Sequence, residues 1–579
     1  MREIALAAVP RGDSVAGMIG RISALLLALL TPMLIGFPAP ALAGGVVSAA
    51  DPRAAAAGQE ILREGGTAAD AAMAMMLALT VVEPQSSGIG GGGFLVHHDA
   101  ATGMIETIDG RETAPAAAGP NRFIGADGKP MPFIQAWPGG YSVGVPGNVR
   151  LAAMAHAKWG KLPWAKLFAP AIRLAGEGFE VTARLNSSLG MVKEIWKDYP
   201  QVRALYWKDG APAPVGTVIR NPALAAILTR IANEGPEAFY SGANADAITA
   251  AVASVANNPT QITAADLAAY KAKDRPPVCG HYRVWKICGM GPPSSGAVTV
   301  LEVLGMLERF DLKKLGKDSP VAWHLIGEAM QLAYADREKY LGDPDFVANP
   351  VSGMIDPAYL RSRSAAISLA RTIGAYEAGT PPGAAPRTAA LSSEVAGTTH
   401  FVAVDGDGDI ATMTSTVESS FGSQINVNGY MLNNELTDFT FAPEKNGAPV
   451  ANRVEAGKRP LSSMSPTIVY DAQDKPIFAI GAAGGKTIIM QVAKALIAHL
   501  DWGLSAQDSI AMGLLFFNGD GLVIEQGTPL EAMKPGLEKL GHAVVVGRLG
   551  LKANAAEKMP DGHWVGAADP RSPGASLQE

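Results

Sequence analysis

The chain has 579 residues, of which 48% are hydrophobic and 18% charged, with a formal net charge of −6. That balance is ordinary for a soluble globular protein and excludes both a strongly basic nucleic-acid binder and a disordered chain. The length suffices for a large core without fixing the number of domains.

In chain order, the N-terminus carries Arg2, Arg11 and Arg21, then the apolar run Ile22 to Phe37, then Ala41-Leu42-Ala43. This is the pattern of an export signal ending in a small-x-small peptidase site, so the expectation is a signal over 1–43 and a periplasmic or secreted mature protein. The charged region is long for a signal, and Met18 is an alternative start to Met1. An uncleaved anchor is the competing reading, but the apolar run is shorter than the ~20 residues of a membrane span and contains Pro32. No stable membrane insertion is expected.

Residues 53–82 have helical spacing interrupted by Gly65-Gly66, and Ala68 to Val82, broken by Asp70, reads as a buried helix. Phe94 to His98 and Met104 to Ile108 read as strands joined by the turn Asp99 to Gly103, and helices occupy much of 150–255. Cys279 and Cys288, the two cysteines of the chain, flank a segment, His281 to Lys286, able to turn back as a hairpin. A disulfide and a pair of buried thiols both fit that spacing. A long helix is expected over 319–341, and 378–390, rich in Pro, Gly, Ala and Thr, reads as a mobile linker. Next come a strand from Thr398, the turn Gly406 to Asp409 and a second strand, Ile410 to Val417. The chain closes with strands Thr467 to Tyr470 and Ile477 to Ile480 and the amphipathic helix Thr487 to Leu500. Strands interleaved with helices imply a layered α/β fold.

Gly397-Thr398-Thr399-His400 carries the most chemistry. It reads as a self-cleavage point followed by a nucleophile-bearing strand. Attack of the Thr398 hydroxyl on the Gly397 carbonyl would turn the peptide into an ester, and hydrolysis would free Thr398 as a new N-terminus. A free α-amine titrates at about 7.7–8.0, so such a threonine holds nucleophile and base together. Three other motifs fail on context. Gly88-x-Gly90-x-x-Gly93 follows a helix and precedes a strand, the reverse of a dinucleotide-binding turn. Gly484-Gly485-Lys486-Thr487 has Ile480 where a phosphate loop needs its first glycine. Asp405, Asp407 and Asp409 begin like a calcium loop, but Thr416 stands at its twelfth position instead of glutamate.

The segments Thr398 to Asp405, Thr412 to Val417, Phe421-Gly422, Leu432 to Phe439 and Arg459 to Thr467 together resemble the small subunit of the gamma-glutamyltranspeptidases. Glu83 to Phe94, Asp109 to Pro115 and Pro292 to Gly296 are similar to that family's large-subunit signatures. The resemblance implies a four-layer αββα N-terminal-nucleophile fold made of two intertwined subunits, 44–397 and 398–579. It implies Thr398 as nucleophile, Thr416 as the hydroxyl that orients it, and Gly484 and Gly485 as backbone donors to an oxyanion. Arg111, with Ser462 and Ser463, would bind a substrate α-carboxylate, and Glu435 and Asp438 an α-ammonium. Glu418 stands where many members have an asparagine, which removes a donor and adds negative charge. The segment Thr440 to Lys458 looks shorter than the lid of well-known members and lacks its tyrosine, so an open site is expected. No metal or organic cofactor is implied. The activity implied is an exported gamma-glutamyltransferase and glutathione hydrolase passing γ-glutamyl groups to water, amino acids or peptides. The alternatives are a glutaryl-type cephalosporin acylase and a processed but inactive binding protein.

Overall fold

A computed structural model describes residues 44–390, 397–519 and 521–579. The signal read over 1–43 lies outside the described residues. The first helices follow from their ends. α1, Pro52–Arg63, starts with proline after Asp51, whose carboxylate accepts from the Arg53 amide, and α2, Ala68–Val82, begins with a reciprocal cap between Thr67 and Asp70. Every residue of α2 is buried, as its uniformly apolar surface requires. Among the described residues no helix is long and apolar enough to cross a membrane.

The strands, in chain order, are β1 Val46–Ala49, β2 Gly92–His98, β3 Ile105–Asp109, β4 Lys273–Arg275, β5 Val278–Tyr282, β6 Trp285–Gly289, β7 Thr399–Val404, β8 Ile410–Thr416, β9 Thr467–Tyr470, β10 Pro476–Ala483, β11 Lys552–Lys558, β12 Trp564–Ala568 and β13 Ala575–Gln578. They form a seven-stranded sheet, ordered β13-β1-β7-β8-β2-β3-β4, and a six-stranded sheet, ordered β12-β11-β10-β9-β6-β5. Segments on both sides of Gly397 thus contribute to both sheets.

The sheets pack against each other through β7 and β8 on one side and β10 and β11 on the other. Helices α1 and α2 cover the first sheet, while α3, Gly296–Leu307, and α5, Thr487–Leu500, cover the second. α4, Pro320–Tyr340, packs on α3. Strand β7 is buried on both faces. Val402 and Val404 join the core shared with Ile468, Phe478 and Ile480, and Phe401 and Ala403 join the core shared with α2.

Most expected elements stand within a residue or two of their places. Cys279 and Cys288 face each other on β5 and β6 and form a disulfide. The Asp405 carboxylate accepts from the amides of Asp407, Asp409 and Ala68, so this acidic stretch is a hairpin turn tied to α2. One expectation needs correction. Residues 378–390 form no helix or strand, but the start of the segment is pinned instead of free. The Gly379 amide donates to Asp336 Oδ1 at 2.6 Å, its carbonyl accepts from Tyr340 at 2.7 Å, and Gly353 packs directly on Pro382. A turn-rich composition cannot reveal such tertiary anchors.

His400 lies between the sheets, with Nδ1 2.8 Å from Thr414 Oγ1 and Nε2 3.1 Å from Thr412 Oγ1. Burial pulls its pKa down to about 3, so the ring is neutral at physiological pH. A Cβ at Gly481 on β10 would fall 2.2 Å from His400 Cε1. Gly481→Ala is therefore expected to lower the thermal midpoint, with a stability loss of about 1–3 kcal/mol. Gly119→Ala, which meets nothing within 4 Å, is expected to stay within about 0.5 kcal/mol of the native protein. Thermal unfolding of both variants checks this.

Candidate active site

Antiparallel pairing of β7 and β8 sets Thr399 opposite Ser415, and one step further along that register Thr398 meets Thr416. Their Oγ1 atoms lie 3.1 Å apart. Thr416 Oγ1 also accepts from the Glu418 amide at 2.7 Å, which fixes the hydroxyl in place. Strand β2 flanks the pair from the other side, and a Cβ at Gly91 would come within 1.9 Å of the Thr416 carbonyl oxygen. The glycine run 90–93 is thus a steric requirement of the site.

Gly397 is equally constrained. A Cβ there would fall 1.7 Å from the Glu418 carbonyl oxygen, and Glu418 itself turns with φ 76°. Behind Thr398, the Thr399 hydroxyl donates to Glu83 Oε2 at 3.1 Å, and Lys552 Nζ reaches the same oxygen at 2.8 Å. This ion pair is fully buried. Burial pulls the Lys552 pKa down to about 8 against the opposing pull of Glu83.

Arg111 follows β3 and is 1% exposed. Its guanidinium bridges Glu435 Oε1 and, at 2.5 Å, Asp438 Oδ2. It also donates to the carbonyls of Pro460 at 3.2 Å and Leu461 at 2.9 Å. Burial alone would lower the Arg111 pKa, but Glu435 and Asp438 outweigh it and hold the group above its ordinary value. Burial pushes the Glu435 carboxyl up against the pull of Arg111. Burial also raises Glu112, with Glu435 adding to the effect. Acids outnumber cations here, an arrangement suited to an incoming ammonium.

Thr398, Thr416, Arg111, Glu418, Glu435, Asp438, Ser462 and Gly485 line one cavity together with Met464 and Ile488. Its free space is about 10 Å³, room for roughly one water. The open site expected from the lid segment is therefore a correction, because Arg111 closes on Glu435 and Asp438 across the space a ligand would fill. For the same reason Arg111 does not stand at the opposite end of the cavity from Glu435 and Asp438. A zwitterion would have to exchange with those pairs.

Two residue pairs divide. Ser462 lines the cavity, but the Ser463 hydroxyl accepts from Arg337 Nη2 at 2.9 Å. Gly485 lines it, while Gly484 is enclosed by Thr487, Gln491 and the Gly550 carbonyl. Glu418 lines it and also accepts from Asn434 Nδ2 at 2.7 Å and from the Ser419 hydroxyl. Gly397 opens on the far side into a cleft of about 770 Å³, bordered by Gln85, Ser86, Arg184, Met191 and Ser420.

Sequence reasoning missed the Glu83–Lys552 pair, Met464 and Ile488. Glu83 and Met464 sit inside the motif blocks, where an acid or a methionine carries no role by itself, and nothing in the sequence links Lys552 to Glu83 across 469 positions.

The gamma-glutamyltranspeptidase family model matches residues 54–578. The chain is 36% identical to the glutathione hydrolase proenzyme of Escherichia coli (strain K12), over 91% of this chain and 90% of that one. It is 35% identical to the acylase ACY 1 proenzyme of Pseudomonas sp. (strain SE83), over 92% and 93% of the two chains. The crystal structure of cephalosporin acylase from Bacillus halodurans superposes with a TM-score of 0.81 at 28% identity, covering 92% of this chain and 95% of that one. The fold and site define a mixed α/β enzyme with a threonine at the head of a central strand. The chain belongs to the gamma-glutamyltranspeptidase family.

Removing one partner of a buried pair strands the other charge, so Lys552→Met should cost about 3–5 kcal/mol, much of it recovered in Glu83→Gln/Lys552→Met. The pH response follows from the lowered pKa of Lys552. Folded Lys552 loses its proton near pH 8 and unfolded lysine near about 10.4, so the unfolded chain binds more protons in that window and native stability gains with rising pH. The difference between native and Lys552→Met denaturation curves should carry this slope from pH 8 upward, and a flat difference would refute it.

Proposed function

We propose that the chain is an exported precursor that cuts itself between Gly397 and Thr398 and then acts as a gamma-glutamyltransferase and glutathione hydrolase. The signal over 1–43 directs it to the periplasm or the exterior. The pieces 44–397 and 398–579 remain together as large and small subunits of a four-layer αββα N-terminal-nucleophile fold. The observation that carries this reading is the 3.1 Å contact of Thr398 Oγ1 with Thr416 Oγ1 in a cavity where Arg111, Glu435, Asp438 and Ser462 converge.

In maturation, Thr398 Oγ1 attacks the Gly397 carbonyl carbon and passes its proton to the departing Thr398 nitrogen as the peptide C–N bond breaks. Water then hydrolyses the ester, leaving a carboxylate on Gly397 and a free α-amine on Thr398. In catalysis that amine takes the hydroxyl proton while Oγ1 attacks the γ-amide of the donor. The Gly485 amide, with that of Gly484 after a local shift, supports the oxyanion, a contribution of about 3–4 kcal/mol for a well-placed donor. The leaving amine carries off the proton, and water, an amino acid or a peptide accepts the γ-glutamyl group from Thr398.

Arg111 and Ser462 receive the α-carboxylate of the donor, and Asp438 and Glu435 its α-ammonium. Glu418 adds negative charge near the ammonium while keeping its bond to Asn434. A glutaryl group lacks the ammonium, and the retained acids favour the γ-glutamyl donor over a glutaryl one.

Intact-mass spectrometry of the purified protein should give two pieces, the second beginning at Thr398, and one uncut chain in Thr398→Ala; an uncut native protein would sink the reading. Asp438→Asn should raise KM about 10- to 100-fold for a γ-glutamyl anilide, the value of one charged hydrogen bond, and leave a glutaryl anilide nearly unaffected. Faster native hydrolysis of the glutaryl anilide than of the γ-glutamyl anilide would make the protein an acylase, and no turnover of either would make it a binding protein.

A further inference from the structure

We propose that His324, Glu328 and His542 form a binding site for one divalent transition-metal ion of the zinc type, separate from the Thr398 cavity. His324 and Glu328 stand four residues apart on α4 and so share a face. His542 comes from the turn just before the strand Val544–Gly547. All three are buried, at 0%, 0% and 6% exposure, and their ligating atoms lie within 4.8 Å of one another. His324 Nδ1 is 2.6 Å from His542 Nε2, and Glu328 Oε1 is 3.7 Å from that same nitrogen.

The surroundings prepare these atoms to be ligands. His324 Nε2 lies 2.7 Å from the Ser368 carbonyl oxygen. A carbonyl can only accept, so Nε2 carries the ring proton and Nδ1 presents its lone pair toward His542 and Glu328. A backbone carbonyl on the far nitrogen of a ligating imidazole is a recurrent support of metal sites. Glu328 is oriented by Thr372 Oγ1 at 2.8 Å, the Ile373 amide at 2.9 Å and the Tyr376 hydroxyl at 2.5 Å. These donors are all neutral. A buried carboxylate held by neutral donors beside two imidazoles is short of positive charge, which a divalent ion would supply.

Two imidazoles and one carboxylate are a zinc ligand set with a fourth position left for water. Zinc–nitrogen bonds of about 2.0–2.1 Å at a tetrahedral angle separate two ligating nitrogens by about 3.3 Å. The two rings need part by less than about 1 Å, and His542 need only move its proton from Nε2 to Nδ1. Glu328 is already close enough to follow.

The placement gives the ion a role that rests on the cleavage reading. His324 and Glu328 precede Gly397 and His542 follows it, so in the cut protein the ion would tie the two pieces together away from the nucleophile.

The test loads the purified full-length protein with zinc sulfate, removes excess by gel filtration and counts zinc by inductively coupled plasma mass spectrometry. A chromogenic chelator competes for affinity, and cobalt replaces zinc for visible spectroscopy. One equivalent of zinc and a tetrahedral cobalt spectrum are expected in the native protein and in uncut Thr398→Ala. His542→Ala and the hydrogen-bonding variant His542→Gln should bind about 100-fold more weakly or worse. The metal-free thermal midpoint of His542→Gln checks that the fold is kept. Zinc bound below about one-tenth equivalent, or equally well by the native protein and a folded His542→Gln, overturns the site. In the cut protein a chelator should lower the urea concentration at which the two pieces separate. If zinc binds but that concentration is unmoved, or if the native protein is never cut, the site stands and its tying role falls.

Discussion

The register of β7 against β8 is the constraint on which the site depends. Side chains alternate across a strand, so a one-residue slip would turn Thr398, His400 and Val402 from the space between the sheets toward α2, and Phe401 and Ala403 the other way. Burial on both faces forbids that slip. His400 wedged between Thr412 and Thr414 and against Gly481 reinforces the register from one side, and the glycine run of β2, pressed on the Thr416 carbonyl, from the other. The 3.1 Å meeting of two threonine hydroxyls is thus the local outcome of packing spread across both sheets.

Electrostatics sets the second condition. A guanidinium in a buried cavity needs a counter-charge, and Arg111 finds two by bridging Glu435 and Asp438. The same groups that would recognise the two charged ends of a γ-glutamyl donor pair with each other when no donor is between them. The near-closed cavity follows from this without any lid. Recognition of such a donor would then be an exchange of partners, in which a ligand carboxylate would replace the acids on Arg111 and a ligand ammonium would replace Arg111 on the acids, leaving the net buried charge unchanged.

Much of the architecture was legible in the sequence because its signals are local. Helical spacing and the Gly65-Gly66 break mark α1 and α2, the turn residues Gly406 to Asp409 mark the β7–β8 hairpin, and the segment His281 to Lys286 between the cysteines marks the β5–β6 hairpin. The site residues were legible because they cluster in motif blocks, and Thr398, Thr416, Arg111, Glu418, Glu435, Asp438, Ser462 and Gly485 do come together. What was not legible depends on contacts between distant segments. Ser463 turned toward Arg337, Gly484 enclosed by the Gly550 region, and Lys552 paired with Glu83 are each set by a partner far away in the chain. The pinned start of 378–390 has the same cause, for Asp336 and Tyr340 hold it from α4.

These long-range ties also bear on how a chain could be cut beside its central strand and stay whole. Strands on both sides of Gly397 pair within both sheets, with β1 lying between β13 and β7 and β6 pairing with β9. A break at Gly397 removes one covalent link but no ladder, and the buried Glu83–Lys552 pair keeps joining the first segment to the second immediately behind Thr398. The new terminus would therefore be held by β7 on one side and Thr416 on the other. Gly397, already facing the larger cleft, is the end left with room to withdraw, and its withdrawal would open a path from that cleft to the threonine hydroxyl.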